Sequence, residues 1–261
     1  MAVEQTTDSD NPSADGAAVA EPAAAAGLST LDRRSPEAAV AGTPPKRNLL
    51  WRVFHVFIYA LMRSWIRAGV AGKEHIDNTQ GGLFLVNHQS YLDPLLAAVF
   101  LNRPVSYLAR DNLFRVPVIG WILARTHVIP ISREAFRGGS IRTALERLEE
   151  GFLVGIFPEG TRSCGDQVGT FRPGFLSLVR RCSVPVYPVA IAGADRIMPR
   201  GAWWIRPRRV EIVYGPPLTA EELNQLRHGT DDRQLAELAR RRVAECHQAA
   251  LRRLNGGAEN R

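Results

Sequence analysis

Seven short apolar runs constrain this chain more than any other feature: Ala68–Gly72, Leu83–Val86, Val105–Ala109, Val128–Ile131, Leu153–Phe157, Val186–Ile191 and Val210–Tyr214. A strand that is apolar at nearly every position has to be covered on both faces, as in a sheet sandwiched between helices. Helix-length patterns fall between the runs, near Leu92–Leu101, Arg133–Glu150, Gly174–Arg181 and Asp231–Leu254, and Thr219-Ala-Glu-Glu222 is a capping-box signature for one more helix. The alternation predicts an α/β layered domain with a central, mostly buried mixed sheet flanked by helices. There is no internal repeat, no G-x-G-x-x-G, no Walker-type loop and no G-x-S-x-G elbow, so dinucleotide, nucleotide and α/β-hydrolase readings lack their marks.

Composition narrows the class further. With 45% hydrophobic and 23% charged residues, the chain is not a collagen, a coiled-coil rod or a wholly disordered polypeptide. Its three cysteines, Cys164, Cys182 and Cys246, are too few and too scattered for a disulfide framework or a zinc cluster, which suits a reducing compartment. Residues 1–45 hold seven acids and two bases, a net of −5, which leaves +12 on the remainder of a chain whose total is +7. A folded part this basic expects an anionic partner.

Residues 1–47 are rich in Ala and Pro and nearly devoid of large apolar side chains, the composition of a disordered acidic tail. They lack the basic start and apolar run of a secretion signal, so the expected location is cytoplasmic. Residues 48–66 then read as an amphipathic helix. Arg52, His55, Tyr59, Arg63 and Arg67 line one face, and Leu50, Val53, Phe54, Phe57, Ile58, Leu61, Met62 and Trp65 fill the other. The longest charge-free stretch, Val53–Met62, is far short of the ~20 residues that span a bilayer. A basic amphipathic helix of this kind suits the interface of an anionic membrane, while a cap on the core is the plainer alternative. The expected organisation is therefore 1–47 tail, 48–66 membrane-surface helix, 67–255 folded domain and 256–261 disordered end.

Two turns after buried strands concentrate the chemistry. In Leu83-Phe-Leu-Val-Asn-His88-Gln-Ser-Tyr-Leu-Asp93-Pro94 the strand ends at Asn87 and the chain turns into a helix. Within one helix, positions five apart sit about 140° around the axis. His88 and Asp93 meet only if the first lies in the turn and the second in the first helical turn. Asp93 would then accept the Nδ1 proton, and Nε2 would serve as a base. The plainer role for Asp93 is a helix cap before Pro94. In Ile156-Phe-Pro-Glu159-Gly160-Thr161-Arg162-Ser163, Pro158 ends the strand and Gly160 allows a tight turn. Glu159 and Arg162 are expected at the rim of that turn, where a guanidinium and backbone N–H groups can surround a phosphate.

Together, N-H-Q-S-x-x-D over Asn87–Asp93 and F-P-E-G-T-R-S over Phe157–Ser163 resemble the glycerolipid acyltransferases of the bacterial lysophosphatidic acid acyltransferase type. Val184-Pro185-Val-Tyr-Pro-Val-Ala-Ile191 is similar to the family's later proline block, and the resemblance runs from about Gly72 to Pro217. It implies transfer of an acyl chain from acyl-coenzyme A or acyl carrier protein to the free hydroxyl of a lysophospholipid, 1-acyl-glycerol-3-phosphate in the first instance, giving phosphatidic acid. By the same resemblance, His88 is the general base and Asp93 its orienting partner. Arg133, Glu159, Gly160, Thr161 and Arg162 belong to the acceptor phosphate site, and Pro185 supports the acyl site. No metal, cofactor or nucleic acid is implied. The enzyme would lie peripherally on the cytoplasmic face of the inner or plasma membrane.

One block departs from the family pattern. Where the family often has Gly-x-Ile-Phe-Ile-Asp-Arg, this chain has His127-Val-Ile-Pro-Ile-Ser132-Arg133. Arg133 is kept, but the preceding acid is lost, which bears on the acceptor, another lysolipid such as a lyso-aminolipid being the alternative. A non-catalytic lipid-binding protein is the rival of a different class. Arg172 in Thr170-Phe-Arg-Pro-Gly174 matches the family's basic residue after the second motif. Trp203-Trp204-Ile-Arg-Pro-Arg-Arg209 mixes aromatic and basic residues, which suits lipid headgroups or nucleic acid, with a packed loop before the Val210 strand as the plainer reading. Cys164 reads as an ordinary thiol, and His55, His75, His228 and His247 show no metal-ligand spacing.

Overall fold

A computed structural model describes residues 49–110, 129–131, 139–163, 165–199, 202 and 204–256. They fall in the compact unit Pro36–Arg261. The tail over 1–47, Arg133 with its neighbours His127 and Ser132, Cys164, Trp203 and the end from 257 onward lie outside the described residues.

All seven predicted strands form: β1 (Gly69–Ala71), β2 (Gly82–Val86), β3 (Val105–Arg110), β4 (Ile129–Ile131), β5 (Leu153–Ile156), β6 (Val186–Ala192) and β7 (Glu211–Tyr214). They make one sheet in the order β1-β7-β6-β2-β5-β3-β4. Every pairing is parallel except β6 with β7, so the sheet is mixed, as its apolar runs and interleaved helices led us to expect. The central strands are buried along their whole length, with no exposed position in β2, β5 or β6.

The two faces of the sheet are covered by different helices, and alternation along β2 shows how. Leu83 and Leu85 enter a core with Val154, Ile156 and Val186, sealed by α3 (Gly139–Glu149), α4 (Leu176–Val179), α6 (Ala220–His228) and α7 (Asp232–Gly256). Phe84 and Val86 enter the opposite core with Tyr187, Val189, Ile212 and Tyr214, sealed by α2 (Asp93–Val99) and the end of α1 (Leu49–Ser64). A period of two along one strand thus feeds two apolar layers.

Local signals set the helix boundaries. At α6 the Thr219 N–H donates to Glu222 Oε2 at 2.8 Å and the Glu222 N–H donates to Thr219 Oγ1 at 3.2 Å, the reciprocal pair that the sequence predicts. Asp231 caps α7 by accepting the N–H groups of Arg233 and Gln234 at 3.0 and 3.1 Å. Helix α7 runs one residue past the expected domain end, to Gly256, and buries Leu235, Ala236, Ala239, Val243, Cys246, His247, Ala250 and Leu254. The short α5 (Ala194–Ile197) was not foreseen.

At its C-terminal end α1 caps the core, the plainer of the two expectations. Met62 and Ile66 are sealed into the core, with Ile58 and Leu61 packed against them, while Val56, Tyr59 and Trp65 remain exposed. Trp65 therefore leaves the apolar face to which its spacing assigned it, and its indole N–H donates to the Ile205 carbonyl at 3.2 Å.

The topology fixes where a ligand can lie. Strands β2 and β5 are parallel neighbours, but the chain leaves β2 toward α2 on one face and leaves β5 toward α4 on the other. Diverging connections open a crevice at the carboxyl ends of such strands. Both motif turns sit there.

Candidate active site

The first motif is anchored before it turns. β2 ends at Val86, and the Asn87 side chain then continues the ladder, its amide donating to the Ile191 carbonyl at 3.0 Å while its oxygen accepts the Ile191 N–H at 2.8 Å. An Asn can do this because it carries a donor and an acceptor in one plane. His88 follows in the turn, and Asp93 begins α2, which is the geometry the spacing required.

Asp93 does not cap α2 in the ordinary way. Its Oδ2 reaches back to the turn and accepts from His88 Nδ1 at 2.8 Å, from the Gln89 N–H at 2.6 Å and from the Ser90 N–H at 2.7 Å. Three donors converging on one oxygen fit an ionised carboxylate, although complete burial pushes its pKa upward against them. With Nδ1–H given to Asp93, the lone pair of the ring lies on Nε2. The ring is one-fifth exposed.

The second face of the imidazole is aromatic. His88 stacks on Phe157 with centroids 4.3 Å apart and planes 28° apart, and Phe157 stacks on Tyr107 at 5.6 Å and 17°. Tyr107 lies in turn over Gly155, where a Cβ would come within 2.2 Å of the ring. The glycine of β5 is thus what lets this column form.

Glu159 departs from the expectation. The second turn does not present it at the rim: it is 3% exposed, with Oε1 accepting the His88 N–H at 2.9 Å and Oε2 accepting the Gly169 N–H at 3.2 Å. Burial pushes its pKa up, opposed by these hydrogen bonds. A buried acceptor finds donors, and here the nearest are the main chains of the two loops it joins. Ser163 completes the joint, its N–H donating to the His88 carbonyl at 2.7 Å.

The rim belongs to the other residues of this turn. Gly160 takes φ +66, a left-handed value that favours glycine, and a Cβ there would lie 3.1 Å from Arg172 Cδ. Gly160, Thr161 and Arg172 are exposed. The Arg162 guanidinium lies 3.7 Å from the centroid of the Tyr91 ring, in the neighbouring motif. The structure thus brings His88, Asp93, Glu159, Gly160, Thr161 and Arg162 to one end of the sheet. Pro185 is not with them: it precedes β6 at the opposite end of the sheet, its carbonyl accepting from Leu83 at the start of β2 at 2.9 Å.

Sequence reasoning passed over Asn87, Tyr107, Phe157 and Gln89. The signal for Asn87 and Gln89 was their place on either side of His88. Tyr107 carried none, because its neighbours come from another strand. No group of three or more His, Cys, Asp or Glu side chains is placed to hold a metal ion among the described residues.

Residues 67–192 match the family profile described as Acyltransferase. The 1-acyl-sn-glycerol-3-phosphate acyltransferase of Pseudomonas aeruginosa is 32% identical over 197 residues, covering 74% of this chain and 72% of that protein. The chloroplastic 1-acyl-sn-glycerol-3-phosphate acyltransferase LPAT1 of Arabidopsis thaliana is 28% identical over 203 residues, covering 74% of this chain and 54% of that protein. This chain spans about half the length of the plant relatives it matches. In fold it is similar to the crystal structure of the 1-acyl-sn-glycerophosphate acyltransferase PlsC from Thermotoga maritima. The TM-score is 0.58 at 22% identity, covering 77% of this chain and 88% of that one.

Proposed function

This chain belongs to the acyltransferase family, of the 1-acyl-sn-glycerol-3-phosphate acyltransferase type, and we propose that it acylates the free hydroxyl of 1-acyl-glycerol-3-phosphate to give phosphatidic acid. The observation that carries the mechanism is the 2.8 Å approach of His88 Nδ1 to Asp93 Oδ2. That contact fixes the tautomer and leaves Nε2 as the base. The acceptor hydroxyl gives its proton to Nε2 as its oxygen attacks the thioester carbonyl. The C–S bond then breaks, and the leaving thiolate takes the proton back from the imidazolium. An ester and a free thiol result. A thioester is already activated, so positioning and one base suffice, and a base so placed contributes ~10²–10⁴ in rate.

Gly160, Thr161 and Arg162 offer the acceptor phosphate a turn and a guanidinium at the rim, with Arg133 joining them by family resemblance. Glu159 serves from below as a brace. The donor is acyl-coenzyme A or acyl carrier protein. In this reading, the exposed Val56, Tyr59 and Trp65 on and just after α1 rest on the cytoplasmic leaflet where the acceptor resides. No described helix is long and apolar enough to cross a membrane.

The deciding experiment offers both donors and a panel of lysolipids to wild type and His88→Ala, with mass spectrometry of the products. Phosphatidic acid that depends on His88 supports the proposal. A different diacyl product keeps the chemistry and replaces the acceptor. No product, with intact liposome binding, overturns it in favour of a lipid-binding protein.

A further inference from the structure

His247, to which the sequence assigned no role, lies on α7 and is 1% exposed. Its Nε2 stands 3.3 Å from Nε2 of Gln89, the residue after His88. The same Gln89 nitrogen donates to the Gly165 carbonyl at 2.9 Å. That carbonyl fixes the amide: turned over, it would set oxygen against oxygen. The nitrogen facing His247 is therefore a donor, so His247 accepts, and it must be neutral with its proton on Nδ1. Nδ1 is buried with no hydrogen-bond partner among the described residues. A residue retained only for packing would be better apolar here, since a buried unpaired N–H is a cost. Among the described residues, what the imidazole supplies is a hydrogen bond with Gln89.

Gln89 is tied at both ends. Its backbone N–H donates to Asp93 Oδ2 at 2.6 Å, on the oxygen that holds His88. We propose that His247 is a positioning residue for the His88–Asp93 pair, holding through Gln89 the turn that delivers the backbone N–H to Asp93. The inference rests on the catalytic reading of that pair. Two acids face His247: Asp166, in the loop after Gly165, and Asp195, at the start of α5. Both favour the imidazolium, and Arg196 offsets Asp166 at 3.5 Å. Burial outweighs them and pushes the His247 pKa down, keeping the acceptor available near neutral pH. On protonation, N–H would face N–H and the Gln89 contact would break.

The test uses the full chain with two substitutions. His247→Phe fills the space without an acceptor, and His247→Gln places an amide oxygen where Nε2 stands and does not titrate. We expect His247→Phe to lower kcat about tenfold with acceptor KM within about twofold, as befits a misplaced base. His247→Gln should recover most of that rate and flatten the acid limb of the kcat profile. In parallel, the His88 Nδ1–H proton signal, assigned by its loss in His88→Ala, should shift in His247→Phe and return in His247→Gln. An unchanged rate and signal in His247→Phe overturns the proposal, as does an equal loss in both variants. If wild type and His88→Ala transfer equally, the catalytic reading falls instead, and the proton signal alone decides whether His247 positions the pair.

Discussion

Glu159 holds His88 by its main chain, one carboxylate oxygen accepting the His88 N–H at 2.9 Å and the other accepting the Gly169 N–H at 3.2 Å. The second motif therefore acts on the first from beneath, and the acid of F-P-E-G-T-R-S is a brace.

Replacing it separates bracing from substrate contact. In Glu159→Gln, one arm of the side chain becomes an NH₂ facing an N–H, leaving a buried donor unpaired at about 1–3 kcal/mol. We expect a lower melting temperature and a fall in kcat of about tenfold or more, with acceptor KM little changed. A carboxylate that touched the acceptor phosphate would behave in the opposite way. Removing its charge would lower KM and leave stability alone, so thermal unfolding beside steady-state kinetics decides.

The aromatic column that ends on His88 makes a prediction of its own. A methyl at Gly155 would stand 2.2 Å from the Tyr107 ring, which must then move and carry Phe157 away from His88. Overpacking of this kind costs about 1–3 kcal/mol. Gly155→Ala should lose stability and kcat together. Combined with Tyr107→Ala, which clears the ring, it should cost less than the two single changes added. Strict additivity in that cycle would sink the account.

The contrast between Asn87 and Tyr107 shows what was legible beforehand. The strands were readable because apolar runs bounded by turn residues are local signals, and the His88–Asp93 contact because its partners are close in sequence, on either side of one turn-to-helix junction. Glu159 was read at the rim because a charged residue after Pro158 is ordinarily solvated. Of its partners, Gly169 comes from farther along the same loop, and His88 is brought over it only by the pairing of β2 with β5. Tyr107 and His247 were invisible for the same reason, each meeting the site through an element distant in sequence. Trp65 misled by helical spacing, since the chain leaves α1 at Ser64 and turns that side chain toward Ile205.

Acid should find His247 before it finds most of the fold. Its folded pKa is depressed below the unfolded value of 6.5, so its contribution to stability is present above that value and fades as pH falls through the folded pKa. His247→Gln removes that titration. The difference in unfolding free energy between the wild type and His247→Gln should therefore move against the wild type as pH drops below about 6.5. A pH-independent difference would show that the folded protein leaves this imidazole with its ordinary proton affinity.

Membrane contact by α1 predicts a loss when its exposed face is charged. Val56 is 64% exposed, so Val56→Glu should leave folding intact. It should weaken binding to anionic liposomes several-fold, through lost apolar contact and like-charge repulsion. Equal sedimentation of wild type and variant with liposomes would reduce α1 to a cap on the core.

Tyr91 should tune acceptor affinity without touching the chemistry. Its ring is 56% exposed and lies 3.7 Å from the Arg162 guanidinium, so it holds that group in a plane at the rim. A cation–π contact at an exposed site is worth about 0.5–1 kcal/mol. Tyr91→Ala should accordingly raise acceptor KM about two- to fivefold and leave kcat within error, whereas Tyr91→Phe, which keeps the ring, should match the wild type. Arg162→Lys should cost more than Tyr91→Ala, because an ammonium keeps the charge but loses both the stack and the planar fork that suits phosphate. Raising the ionic strength should narrow the gap between Arg162 variants and wild type, since exposed charges are screened. If Tyr91→Ala lowers kcat at unchanged KM instead, the ring serves the His88 turn it belongs to, and the guanidinium stacks on it without holding substrate.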